Sequence, residues 1–188
     1  MKIGITLDMS KAFWANGMQQ HIVFLYDLFS RMGHDCYYIS QQPPEHKMHK
    51  QHKAMTFIDL VEDEKENFDL IMLAGFDVPI ESIIKLKDRN KNLKIIVAHF
   101  GHKLYIDSFN MMFSPRYENT NIKLNPKIMG KLIDQVWMLP HHKSAVEYTK
   151  AYYGNDNVIV TPMIWEPSFI QDKICLLYTS PSPRDFTE

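Results

Sequence analysis

Two stretches decide the fold: KIGITL at Lys2–Leu7 and NGMQQHIVFLYDLFSRMGHDCYYIS at Asn16–Ser40. The first is a short β-rich run of the kind that forms a central strand in an α/β sheet. The second opens with Asn16, an N-cap residue, and reaches Gly33, a helix stop. Between them Met18, Ile22, Leu25, Phe29 and Met32 recur at steps of four and three, which makes one apolar stripe for a helix lying on a sheet. HDCYYIS (His34–Ser40) then reads as a second strand. Strand, helix and strand together spell one βαβ unit with a long first loop.

Working outward, the alternation continues. QQPPEHKMHKQHKAM (Gln41–Met55) is a polar, Pro-led surface excursion, TFIDL (Thr56–Leu60) a brief strand, and VEDEKENF (Val61–Phe68) a solvated acidic stretch. DLIMLAG (Asp69–Gly75) and LKIIVAH (Leu93–His99) are buried strands flanking a helix over Pro79–Asn90, with Pro79 at its first turn. After a partly helical stretch come a strand at Gln135–Pro140, a helix over Lys143–Gly154 and a closing strand in NVIVTP (Asn157–Pro162). The spacing predicts an α/β domain: a Rossmann-like, mostly parallel sheet with helices on both faces. No repeat at a period of about 20–50 residues is present.

Bulk composition agrees with one ordinary domain. The chain has 188 residues, of which 45% are hydrophobic, enough for a full core. Lys and Arg number 21 against 22 Asp and Glu, so no net field favours nucleic acid or an anionic membrane. Cys36 and Cys175 make no disulfide framework, which fits a reducing compartment. MKIGITLDMSKAF lacks the apolar core of a signal peptide, and no run approaches the roughly 20 residues of a membrane span. The expectation is a cytoplasmic protein with no membrane span and no nucleic-acid partner.

The end of the chain reads differently. CLLYTSPSPRD (Cys175–Asp185) resembles the in-frame translation of a transposon-type sequencing adapter, although a Pro/Ser linker has the same chemistry. The expected organisation is a domain over residues 1–170 and a truncated linker with an adapter-derived tail over 171–188. Authentic sequence then stops near Ile174, inside a longer gene.

The opening, with its strand, Gly-containing loop, long helix, GHD turn and second strand, resembles the start of GT-B glycosyltransferases. Phe13–Phe29, Phe100–Phe113, Asp134–Gly154 and Val160–Ile170 are similar to segments of a bacterial family of glycosyltransferase-like proteins. The resemblance implies the N-terminal, acceptor-side domain of a two-domain enzyme. Its C-terminal domain, which would hold most of a nucleotide-sugar donor, is absent from this chain. It implies transfer of a sugar to an unknown acceptor, with no metal or other cofactor and no activity in this chain alone. Val160–Ile170 would lie at the hand-over between domains; Trp165-Glu166-Pro167 stands where related transferases often carry a Pro-Asn-Gly-Val type turn.

Candidate site residues follow strand ends. Asn16-Gly17 opens the first helix, whose free amides suit a phosphate or carboxylate, although both residues are also ordinary helix starters. Trp14 could stack on a sugar ring or simply pack. HFGHK (His99–Lys103) follows a buried strand at the sheet edge where ligands bind, and His99 is the candidate for proton transfer. The other reading of His99 is a hydrogen-bonded strand-end histidine. Gly101 and His102 would line a phosphate or sugar, and Tyr105 and Asp107 could bind sugar hydroxyls, Asp107 equally suiting a helix N-cap.

His46, His49 and His52 recur at threes, but with interleaved lysines and no completing carboxylate a solvated segment is expected rather than a metal site. His141 and His142, being adjacent, cannot both face one point of a cleft. A non-catalytic Rossmann-like binding or scaffold domain is the alternative function. A response-regulator-like domain is disfavoured because only Asp8 follows the first strand.

Overall fold

A computed structural model describes residues 1–10, 17–42, 52–76, 78–101, 103–113 and 120–164. Seven strands form one sheet: β1 (Lys2–Thr6), β2 (Asp35–Ser40), β3 (Ala54–Thr56), β4 (Leu70–Leu73), β5 (Lys94–His99), β6 (Gln135–Met138) and β7 (Val158–Val160). Their order is β3-β2-β1-β4-β5-β6-β7, and every neighbouring pair is parallel. The fold is thus α/β and Rossmann-like, as the alternation of strand and helix patterns requires. The chain moves outward from β1 to β3, then returns to the other side of β1 with β4. The order reverses at the β1–β4 junction.

The helices are α1 (Gly17–Arg31), α2 (Phe57–Glu62), α3 (Ile80–Arg89), α4 (Lys103–Phe113), α5 (Thr120–Leu132) and α6 (Val146–Tyr153), the last preceded by a 3-10 turn over Pro140–Ala145. The strands, buried on both faces, feed two cores. On one face Ile3, Ile5, Met72, Ile96 and Ala98 pack against Ile22 and Leu25 of α1. On the other, Ile39, Ile71, Ile95, Val136 and Met138 pack against Leu60 of α2, Ile83 and Leu86 of α3 and Tyr153 of α6. Alternation within β5 sends Ile95 and Val97 to the second core and Ile96 and Ala98 to the first.

Local chemistry sets several boundaries away from the sequence expectations. Gly33 closes α1 with φ +84°, a left-handed value that favours glycine, but Met32 is exposed past the helix end rather than part of the stripe. TFIDL is not a strand. Thr56 ends β3 and caps α2, its Oγ1 accepting from the Asp59 amide at 3.1 Å, and Phe57–Glu62 are helical. The acidic stretch after it is not wholly solvated, since Glu66 pairs with Lys2 and Phe68 is buried. Asp134 ties the amino edge together by bonding Lys87 (3.0 Å), Lys94 (2.9 Å) and the Ile95 amide (2.9 Å). Burial raises its carboxyl pKa, but the Ile95 amide, Lys94 and Lys87 outweigh that and hold it below the usual carboxylate range.

Among the described residues no helix is long and apolar enough to cross a membrane.

Candidate functional site

Because every strand is parallel, the segments after β1, β4, β5 and β6 share one sheet edge, where open α/β sheets place ligands. The β1–β4 junction there is closely built. Thr6 Oγ1, fully buried, accepts from the Ala74 amide at 2.7 Å and the Gly75 amide at 3.0 Å. Gly75 has no room for a side chain: a Cβ would stand 2.6 Å from Leu7 Cα and from Thr6 O. Beyond β1, Asp8 Oδ1 accepts from the Ser10 hydroxyl at 2.6 Å, and buried Gln19 of α1 donates to Asp8 O at 2.6 Å. This last bond fastens the first turn of α1 to the start of the loop that follows β1.

The candidate residues divide between the two sides of this edge. On the α1 side, Gly17 opens the helix and is exposed, with no atom of the described residues within 4 Å of a Cβ placed there. One turn on, His21 is 5% exposed and meets the ring of Phe100 edge-on, centroids 4.4 Å apart. Its Nε2 has no hydrogen-bond partner among the described residues, and burial pushes its pKa down to about 4, so the ring is neutral. Phe100 follows β5, so this contact joins α1 to the β5 end.

On the α6 side, His99 is 3% exposed and its Nε2 lies 2.9 Å from the Tyr153 hydroxyl. This contact fastens the carboxyl end of β5 to α6. Tyr105, in the first turn of α4, is exposed, and its ring lies 5.3 Å from that of buried His142. Asp107 lies inside α4, which begins at Lys103, and so does not cap that helix. Ser108 Oγ receives the Tyr148 hydroxyl at 2.6 Å, linking α4 to α6. Gly101 is half-buried, and a Cβ placed there meets no atom of the described residues within 4 Å. His141 is exposed and His142 buried, as adjacent residues facing different ways require.

Other expectations lie outside the described residues: Trp14, Asn16, His46, His49, His102 and Trp165. His52 is described, and it is not solvated. It lies 3.7 Å from Asp27 and packs against both Tyr26 and Tyr38, at centroid distances of 4.9 and 5.2 Å. Among the described residues no cluster of His, Cys, Asp or Glu is placed to hold a metal.

Sequence reading missed Thr6, Gln19 and His21. Thr6 carried a signal, being the one hydroxyl in β1 and lying at its carboxyl end after an apolar run. Gln19 and His21 gave none, because both fall beside apolar positions of α1 and only the packing shows that they point inward.

The described residues thus form a Rossmann-like α/β domain with buried polar side chains, Thr6 and His99 among them, at the carboxyl edge of its parallel sheet. The chain belongs to the family described as protein of unknown function (DUF2827), which it matches over residues 3–184. The match includes residues 175–184, which read as adapter-like. No curated protein and no solved structure matches the chain.

Proposed function

We propose that this chain is the acceptor-side domain of a GT-B-type glycosyltransferase that moves a sugar from a nucleotide-sugar donor to an acceptor. The observation that supports the reading is the shared edge: the exposed start of α1 at Gly17, the open Gly101 loop, Tyr105 and the 3-10 turn at His141-His142 all follow carboxyl ends of parallel strands. Such an edge offers free amides to an anion and hydroxyl and imidazole groups to a sugar. In this reading a second Rossmann-like domain, holding the nucleotide, closes over the edge, and this chain alone transfers nothing. Proton transfer by His99 then requires its Nε2 to exchange the Tyr153 hydroxyl for the acceptor. In this reading the test is turnover of a panel of nucleotide-sugars by the two-domain protein, with and without His99→Ala.

The burial of His99 favours a second reading, a non-catalytic Rossmann-like binding or scaffold domain. Under it, that same protein binds a ligand at this edge but releases no nucleotide from any donor.

A further inference from the structure

We propose that the exposed apolar face of α4, extended onto α6 by Tyr148, is where a second copy of this chain docks. Tyr105, Ile106, Phe109, Met112 and Phe113 follow helical spacing along one stripe, and with Tyr148 they are 43% to 68% exposed. Of the described α4 side chains only Leu104 and Ser108 are buried. The face is also built rather than loose. Phe109 and Phe113 pair at 4.9 Å between centroids, and the bond from Tyr148 to Ser108 pins α4 to α6.

Area and composition select the occupant. Six large side chains at this exposure leave on the order of 600 Å² of apolar surface, the top of what a monomer ordinarily shows. Self-paired about a two-fold axis, two such faces bury on the order of 1,200 Å², the lower limit of a specific interface. The stripe carries aromatic, Met and Ile side chains and no charge, which is the composition of a homodimer core. A membrane-surface helix would carry a basic polar face, whereas the α4 sequence contains one lysine and one aspartate. A second domain that opens and closes over the sheet edge would meet a more polar surface. This inference shares Tyr105 with the edge of the proposed function but does not depend on that reading, since a binding module dimerises as readily as a transferase.

The experiment is sedimentation equilibrium of the full chain from about 1 to about 200 µM, under reducing conditions so that Cys175 cannot link copies. A reversible monomer–dimer equilibrium with a dissociation constant in the micromolar range is expected. Phe109→Asp combined with Phe113→Asp should raise that constant about 100-fold or more, with the far-ultraviolet circular dichroism unchanged because both rings are exposed. Met112→Glu is the second variant and should act in the same direction. A chain that stays monomeric throughout, or a dimer that both variants leave intact, overturns the proposal. So does a monomer that sediments with phosphatidylcholine–phosphatidylglycerol vesicles and loses that property in the double variant, which would assign the face to a membrane.

Discussion

His99 Nε2 and the Tyr153 hydroxyl lie 2.9 Å apart, joining the last residue of β5 to the last residue of α6. The bond is buried, so it holds the imidazole on the α6 side of the sheet while the next residue, Phe100, faces α1. Removing the hydroxyl with Tyr153→Phe should lower unfolding free energy by about 1 kcal/mol, the net value of a buried hydrogen bond. Urea denaturation measures it. An unchanged midpoint would show that the bond contributes nothing to holding α6 on the sheet.

His21 gives the chain a pH dependence of definite sign. Its folded-state pKa, about 4, lies below the ordinary 6.5 because the buried ring resists charging. Between those values the unfolded chain binds a proton that the native chain does not. The stability contribution is therefore complete above pH 6.5 and is lost as pH falls to about 4, by at most about 3 kcal/mol. His21→Phe should flatten that part of the stability–pH curve. Equal slopes for the two proteins would mean that the ring protonates in place.

Gly75 and Gly101 should respond oppositely to alanine. At Gly75 the methyl would meet main-chain atoms at 2.6 Å that cannot turn aside, so Gly75→Ala should cost about 2 kcal/mol or more. At Gly101 no atom of the described residues lies within 4 Å of the added methyl, and Gly101→Ala should change stability by less than about 0.5 kcal/mol. Thermal unfolding separates the two. A loss of ligand binding in Gly101→Ala without a loss of stability would mark that loop as a contact surface.

The strands and their parallel order were legible because each is a short, continuous apolar run between turn residues, and because parallel pairing follows from the intervening helices. β1, β2, β4, β5, β6 and β7 all fall within the stretches read as strands. TFIDL failed because β-branched and aromatic residues also suit a capped helix, and Thr56 accepting from Asp59 settles the competition. His52 failed for a different reason. Its lysine neighbours read as solvated, while the ring itself packs on Tyr26 and Tyr38 from residues distant in sequence. At the candidate site, Gly17, Gly101 and Tyr105 could be placed at the edge from strand order alone. Which face of β5 His99 occupies depends on the pleat, and its partner Tyr153 lies 54 residues away, beyond any local pattern.

The transferase reading is tested most directly by nucleotide release from a panel of nucleotide-sugars by the two-domain protein that this reading requires, measured with a panel of sugar and alcohol acceptors. The transferase reading predicts acceptor-dependent release from at least one donor, reduced about 10²-fold or more by His99→Ala with folding retained. Absence of release from every donor, in a protein that is folded and whose isolated 188-residue chain is equally silent, would contradict it and leave the binding-domain reading in its place.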